Sequence, residues 1–228
     1  MSKHLETIKE FYTKANPWEK YDEEMRGRIE FTIQHFQLNM HKFPRIADFG
    51  GGYSLFLRLL PERYYKFVFD GAKVDTYYLR KHNIEFNKCD LNNLDFEKHI
   101  DDYALSELFR GYFNISCAFE VCEHLPNLYS FIYHMKEMTT LGGEIYLNIT
   151  HEKTQHNTLY PGLFYPESNF ETFLEQMALP ILDKVYCDKS FHSWIYKCEN
   201  QPWNNKKLMF PKNDEKYRNV DPLTVVNS

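Results

Sequence analysis

Two sets of residues in this chain have the types and spacing needed for chemistry. In the first set, Asp48 stands two residues before three successive glycines at 50–52, and Asp70 and Asp90 end the next two apolar runs, "FVFD" and "NKCD". Glycines at a strand-to-helix turn let a ligand approach the backbone, and the helix offers its N-terminal NH groups. A carboxylate beside such a turn repels pyrophosphate and attracts a cation. The first set therefore predicts a positively charged ligand.

The positions of the acids also indicate a nucleoside. An acid that ends the second strand of such a unit can accept hydrogen bonds from both ribose hydroxyls, and an acid that ends the third strand can bind an adenine amino group. The dinucleotide fingerprint needs GxGxxG, but counting from Gly50 places Leu55 where the third glycine is required. A nicotinamide-dependent oxidoreductase is therefore the weaker interpretation, which a binding comparison of the two cofactors would test.

The second set lies in "AFEVCEHLPN", after the fourth predicted strand, and comprises Glu120, Glu123 and His124. Open α/β sheets bind ligands at the carboxyl ends of their strands, so these side chains are expected to converge beside the ligand of the glycine turn. Two carboxylates and one imidazole suit a divalent ion such as Mg²⁺, Mn²⁺ or Zn²⁺. An imidazole can equally serve as a general base. Both alternatives stay open.

A parallel sheet is needed to bring the two sets together, and the apolar pattern predicts one. From Arg45 onward short apolar runs alternate with helical segments, which indicates a doubly wound α/β fold. The predicted strands are "RIADF", "YKFVFD", "IEFNKCD", "NISCAFE" and "GEIYLNI", and the helices between them are "SLFLRLL", "VDTYYLRKH" and "SFIYHMKEM". A helix in "ESNFETFLEQM" precedes "ILDKVYC" and "HSWIYKC", which are expected to pair antiparallel at the sheet edge.

Three segments divide the chain. Residues 1–40 contain two helical patterns separated by "ANPWEKY" and predict an N-terminal helical cap, with that break as a loop or lid. Residues 41–200 form the predicted α/β domain, and residues 201–228 form a polar, proline-containing extension. With 228 residues, of which 43% are hydrophobic, the expectation is a single domain with one sizeable core.

The net charge and the number and spacing of the cysteines limit the classes of binding partner and the compartment that we expect for this chain. A net charge of -5 and a pI near 6.1 disfavour broad binding to nucleic acid or to an anionic membrane. Five cysteines without a CxxC pair argue against a disulfide framework or a thiolate zinc site. "MSKHLETIKEFY" lacks the apolar core of a signal peptide, and no stretch approaches the roughly 20 apolar residues of a membrane-spanning helix. We expect a cytoplasmic protein with a small-molecule partner, and the oligomeric state stays open.

The first set resembles class I S-adenosylmethionine-dependent methyltransferases. "DFGGGYS" is similar to their D-x-G-x-G-x-G motif, with Ser54 in place of the last glycine. The methyl donor of that family has an adenosine, no phosphate, and a methionine end with ammonium and sulfonium charges. The likeness extends from Arg45 to Trp194 and implies a seven-stranded mixed, Rossmann-like sheet. It departs at Gly71 and Ala72, where the family often has a small polar residue and a proline.

The resemblance implies which residues contact the donor. Asp70 takes the place of the ribose acid, and Asp90 takes that of the adenine acid. The implied donor contacts are Asp48, Gly50, Gly51, Gly52, Asp70, Gly71, Asp90, Leu91 and Glu120.

The E-x-x-E-H arrangement is similar to that of ubiquinone-pathway O-methyltransferases and small-RNA 2′-O-methyltransferases, whose matching residues bind a divalent metal. The negative charge of this chain counts against an RNA acceptor. E-H-L/I-P also occurs in related methyltransferases that use no metal, where the histidine acts as a base or the pair organises the loop. The implied ligands of Mg²⁺ or Mn²⁺ are Glu120, Glu123, His124 and His151, with His156 as the alternative to His151.

The expected activity is O-methylation of a small molecule, with His124 and Glu123 as catalytic residues and the metal optional. The acceptor is expected to be a hydroxyl of a sugar or glycoconjugate precursor, because aromatic side chains near the lid and after the fifth strand can stack on a sugar ring. The alternatives are an aromatic or quinone-precursor hydroxyl, and a non-catalytic subunit that binds the cofactor for a partner. The predicted acceptor contacts are Trp18, Tyr21, His156 and Tyr160.

Overall fold

The computed structural model describes residues 18–71, 74–91, 108–125, 127–150, 167–188 and 193–203. The helices in these ranges are α1 Trp18–His35, α2 Leu55–Leu59, α3 Thr76–Arg80, α4 Leu128–Met138 and α5 Glu167–Gln176, and a 3₁₀ turn spans Cys122–His124. The strands are β1 Arg45–Phe49, β2 Tyr65–Asp70, β3 Ile84–Lys88, β4 Phe113–Ala118, β5 Thr139–Thr150, β6 Ile181–Asp188 and β7 Ser193–Glu199. Within the described ranges, every helix is too short or too polar to span a lipid bilayer.

The strands form a seven-stranded mixed sheet in the order β3-β2-β1-β4-β5-β7-β6. The first five strands pair in parallel, and β7 runs antiparallel to both β5 and β6. The predicted fold class and the antiparallel closing pair are confirmed. Chain order reverses between β1 and β4, and such a switch point opens a crevice at the carboxyl ends of the strands. The glycine turn and "EVCEH" follow these two strands.

Two apolar layers enclose the sheet because alternate residues of each central strand point to opposite faces. Phe49 and Phe69 stack on one face at 4.9 Å between ring centroids, and Phe131 of α4 meets Phe49 edge-on at 6.0 Å. Val68 on the other face packs in a layer that includes Leu57 of α2. Burial of each such side chain stabilises the fold by about 1.5 to 3 kcal/mol.

Helix α1 differs from the prediction at its start. It begins at Trp18, inside the predicted "ANPWEKY" break, so Trp18 and Tyr21 belong to its first turn and not to a loop. The stretch to His35 contains no proline and many good helix formers, which allows the helix to extend this far. Met25, Ile29, Ile33 and Phe36 are buried at helical spacing and pack α1 against the sheet.

Candidate functional site

The glycine turn after β1 is built around two close approaches. Gly50 has φ +78°, its NH donates to the Phe69 carbonyl at 2.7 Å, and a Cβ there would lie 2.4 Å from Cγ2 of Val121. Gly52 has φ +53°, and its NH donates to Oδ2 of Asp70 at 2.7 Å. The turn is therefore wedged between the ends of β2 and β4, where only glycine avoids both a clash and an unfavourable backbone.

Asp48 lies against the inside of this turn and is only 3% exposed. A Cβ on Gly51 would lie 2.3 Å from Oδ2 of Asp48, and the Ser54 hydroxyl donates to that oxygen at 2.6 Å. Burial raises the pKa of Asp48 to about 7, the Ser54 hydrogen bond opposes the rise, and the charge of Asp70 adds to it. Asp48 thus braces the turn from within.

Ser54 joins the turn to the helix that follows. It has φ +41° and is the N-cap of α2, where its side chain accepts a hydrogen bond from the Leu57 NH at 3.1 Å. The residue that replaces the last glycine of the motif therefore caps the helix and also binds Asp48. The local geometry explains why a serine can occupy this position.

The next two predicted donor acids also lie at the carboxyl edge of the sheet. Asp70 ends β2, and its carbonyl accepts a hydrogen bond from the Cys89 NH at 3.0 Å, which ties β2 to the end of β3. Asp90 and buried Leu91 follow directly. A Cβ on Gly71 would lie 3.1 Å from the Cys89 carbonyl oxygen, so a larger residue there would require this carbonyl to shift by a few tenths of an ångström.

Glu120 is held from several sides at the end of β4. It adopts φ +56°, a left-handed conformation that is unfavourable for a non-glycine residue, and its NH donates to Oδ1 of Asn148 at 3.2 Å. Its Oε1 accepts a hydrogen bond from Nη2 of Arg28 at 2.6 Å. The same Nη2 lies 3.3 Å from the Ser193 hydroxyl, which in turn accepts from Nδ2 of Asn148 at 2.7 Å.

Glu123 and His124 lie in the 3₁₀ turn. Glu123 is 2% exposed, and its Oε2 has no hydrogen-bond partner among the residues that the structure describes. Burial, and then the negative charge of Glu120, raise the pKa of Glu123 well above its usual range. The His124 NH donates to the Val121 carbonyl at 2.9 Å, and its side chain is partly buried. The turn thus places a buried carboxyl directly before the imidazole.

The predicted metal ligands do not fit a divalent ion in this arrangement. No group of three or more His, Cys, Asp or Glu side chains in the described ranges could hold a metal. Glu120 is bound to the Arg28 guanidinium, and the buried Glu123 carboxyl lies beside it and shares a hydrogen bond with Glu120 that, after burial and the charge of Glu120, helps to raise the pKa of Glu123. The expected convergence of Glu120, Glu123 and His124 on one ion is therefore not supported, and His151 lies outside the described residues.

Helix α1 passes close to the site, but its acceptor role stays a prediction. Trp18 and Tyr21 lie in its first turn, and His156 and Tyr160 lie outside the described residues. Asp22 pairs with Nη2 of Arg58, the basic residue of α2, and Nε of Arg58 donates to the Tyr53 carbonyl at 3.0 Å. The helix is thus fastened to the segment that carries the glycine turn.

The residues that hold these segments in place and were not predicted from the sequence include Asp22, Arg28, Asn148 and Ser193. The signal for Asn148 was a polar residue within the apolar run "IYLNI", whose side chain is 1% exposed in the structure. A buried amide in a strand needs partners. The other three had no local signal, because charged or hydroxyl residues at helix surfaces and strand ends are common.

Comparison with known proteins gives a match in structure only. No family model matches the sequence, and no curated protein matches it. A SAM-dependent methyltransferase from Aquifex aeolicus is 13% identical, with a TM-score of 0.59, over 80% of this chain and 96% of that one. The N-methyltransferase NodS from Bradyrhizobium japonicum, in complex with S-adenosyl-L-homocysteine, is 13% identical, with a TM-score of 0.60, over 86% and 98%.

A third similar structure is the Burkholderia thailandensis 1,6-didemethyltoxoflavin-N1-methyltransferase, with bound 1,6-didemethyltoxoflavin and S-adenosylhomocysteine. It is 11% identical, with a TM-score of 0.59, and the match covers 87% of each chain. This chain therefore has the Rossmann-like fold of class I S-adenosylmethionine-dependent methyltransferases. The expectation of that fold, drawn from the glycine turn and the strand-end acids, is confirmed.

Proposed function

We propose that this chain is an S-adenosylmethionine-dependent methyltransferase that binds its donor across the crevice between β1 and β4. The observation that carries the proposal is the hydrogen bond of 2.7 Å from the Gly52 NH to Oδ2 of Asp70, which joins the glycine turn to the predicted ribose acid. An acid at this strand end is suited to ribose hydroxyls. The carboxyl group of Asp70 beside the turn favours a cationic donor over a pyrophosphate.

The chemistry requires positioning more than covalent participation by the protein. An acceptor lone pair attacks the methyl carbon in line with the carbon–sulfur bond, which breaks to release S-adenosylhomocysteine. The enzyme holds the two reactants at attack distance and excludes water. The edge formed by the glycine turn and by Glu120, which Arg28 of α1 contacts, is suited to both tasks.

The preferred acceptor is a hydroxyl of a small molecule, most simply a sugar or glycoconjugate precursor. An alcohol must lose its proton as it is methylated, and His124 accepts that proton as general base. Glu123, buried directly before it, positions the turn that carries the imidazole. Trp18 and Tyr21 belong to the first turn of α1, and aromatic residues of this kind can stack on the acceptor.

A nitrogen acceptor is the second candidate. Two of the similar structures are named as N-methyltransferases, and one of them contains bound 1,6-didemethyltoxoflavin. A neutral nitrogen acceptor attacks through its lone pair while it keeps its proton, and the cationic product releases that proton afterwards, whereas an alcohol must lose its proton as it attacks. Activity on a nitrogen acceptor should therefore depend less on His124, which separates the two candidates.

Donor binding is tested by calorimetry with S-adenosylmethionine and NAD⁺ on the wild type and on Asp70→Asn. The asparagine can still accept from the Gly52 NH, so the turn persists while the charge is lost. We expect affinity for S-adenosylmethionine to fall about tenfold to a hundredfold, because a hydrogen bond to a charged group contributes about 1.5 to 3 kcal/mol. Asp75→Asn is the control, because Asp75 is an exposed N-cap that asparagine can replace. Tighter binding of NAD⁺ would contradict the proposal.

Turnover is tested with a panel of sugar, phenolic and amine acceptors on His124→Ala. We expect unchanged donor affinity and a loss of about 10² to 10⁴-fold in turnover of hydroxyl acceptors. Full activity of this variant on hydroxyl acceptors would reject the role of His124. Donor binding without turnover of any acceptor by the wild type would favour a non-catalytic subunit.

A further inference from the structure

Helix α1 supplies a cation, the guanidinium of Arg28, to Glu120 of the second set of residues. Nη2 of Arg28 lies 2.6 Å from Oε1 of Glu120, 3.3 Å from the Ser193 hydroxyl and 3.7 Å from Sγ of Cys187. The guanidinium therefore joins α1 to the end of β4 and to the β6–β7 pair. These contacts connect three segments that are far apart in the sequence.

This ion pair is partly buried. The side chains of Arg28 and Glu120 are 18% and 25% exposed, whereas the Arg26–Glu30 pair on the same helix is 49% and 56% exposed, with atoms 3.6 Å apart. Exposed pairs contribute little to stability, whereas removal of one partner from a buried pair leaves an uncompensated charge, and the Arg28–Glu120 pair lies between these two cases. Arg28 therefore matters to the local structure in a way that Arg26 does not.

Glu120 needs such support. Its φ of +56° is unfavourable for a side chain with a Cβ, so the surrounding contacts must hold it. The Asn148 amide fixes its NH, and the Arg28 guanidinium fixes its carboxylate. Val121, the next residue in the chain, packs closely against the glycine turn. A Cβ on Gly50 would lie 2.4 Å from Cγ2 of Val121.

We propose that Arg28 is a positioning residue. It supplies to the Glu120 carboxylate the positive charge that a divalent metal would otherwise supply. The guanidinium neutralises this carboxylate, keeps Glu120 in its left-handed conformation, and holds α1 over the donor crevice. A metal on the same oxygen, at the usual distance of about 2.0 to 2.2 Å, would have to displace the guanidinium and overcome its repulsion. The enzyme should therefore bind donor without a metal. The inference rests on the proposed function only for the place of the donor.

The first test is hydrogen exchange of the α1 amides in full-length Arg28→Gln, with Arg26→Gln as the matched control. We expect exchange between residues 22 and 35 to accelerate about tenfold or more in Arg28→Gln and to stay at wild-type rates in the control. Donor affinity should fall in the same variant. Arg28→Lys should recover part of both effects, since it keeps the charge but not the planar fork. Equal exchange and donor affinity in the two glutamine variants would overturn the proposal.

The second test is direct titration of the metal-free wild type with Mn²⁺, followed by electron paramagnetic resonance. We expect no stoichiometric site and the same donor affinity with EDTA as with Mn²⁺. A stoichiometric Mn²⁺ site that is lost in Glu120→Gln would overturn the proposal. These readouts need no acceptor. If the wild type fails to bind donor at all, the proposed function fails, while the exchange comparison of Arg28 and Arg26 still decides the role of Arg28.

Discussion

Substitution of Gly50 by alanine tests whether the close packing of the glycine turn is necessary. The new Cβ would lie 2.4 Å from Cγ2 of Val121 and 3.2 Å from its Cγ1, and the backbone has φ +78°. The left-handed backbone costs about 1 to 2 kcal/mol for alanine, and overpacking in a dense site costs about 1 to 3 kcal/mol. Together they predict a destabilisation of about 2 to 5 kcal/mol.

The two causes can be separated with a second substitution. Val121→Ala removes both methyl groups that the new Cβ would meet, so the double variant should retain the backbone cost but lose the steric cost. We therefore expect Val121→Ala to be less harmful in the Gly50→Ala background than in the wild type, with a coupling of about 1 to 3 kcal/mol. Urea unfolding of the wild type, both single variants and the double variant measures this coupling, and calorimetry follows donor affinity in parallel.

Gly27→Ala is the control for the glycine substitution. Gly27 lies in α1 without a positive φ, and apart from its chain neighbours and the backbone of its own helix no atom comes within 4 Å of the place that an alanine Cβ would occupy. Alanine should therefore stabilise the helix by about 0.5 to 1 kcal/mol. Strict additivity between positions 50 and 121 would refute the steric argument. A Gly50→Ala protein as stable as the wild type would refute both the backbone argument and the steric argument.

Two further predictions concern the residues that support the turn. The folded-state pKa of Asp48, about 7, lies above its unfolded value of about 3.9, so folding retains a proton that the unfolded chain releases. The free energy of unfolding should therefore fall as pH rises from about 4 to about 7, and Asp48→Asn should flatten that dependence in urea titrations. An unchanged dependence of the unfolding free energy on pH in the variant would contradict the raised pKa of Asp48. Arg58→Ala removes the contacts of Arg58 to Asp22 and Tyr53 and should accelerate hydrogen exchange in α1. Arg80→Ala, at the exposed end of α3, is the control and should leave exchange in α1 unchanged. Equal exchange in the two variants would show that the Asp22–Arg58 pair does not anchor α1.

The central sheet and the donor edge could be predicted because their signals are local. A buried strand followed by glycines, and an acid at the end of each of the next two strands, lie close together in the sequence, and the carboxyl ends of parallel strands meet at one edge. The pairing of Glu120 with Arg28, which stands in place of the expected convergence of the E-x-x-E-H side chains on a metal ion, could not be predicted in the same way, because residue types do not reveal which cation lies nearby.

The contacts of α1 show why that information is absent from the motif. Arg28 is 92 residues from Glu120 in the chain, and Asp22 is 36 residues from Arg58. No local pattern links positions so far apart. In the sequence, Arg28 and Arg58 each look like an ordinary residue on a helix surface. Only the packing of α1, through apolar residues at helical spacing, brings its charged residues to these partners.

The two anchors of α1 lie on either side of the crevice where the donor is proposed to bind. Asp22 holds α2, which follows β1, and Arg28 holds Glu120, which follows β4. The helix between the two anchors is about 9 Å long along its axis. A rigid helix pinned at both points keeps the segments that follow β1 and β4 at a fixed separation, so loss of either anchor should loosen the crevice as well as the helix. Donor binding and the order of α1 are therefore coupled, and a bound donor should in turn slow exchange in α1.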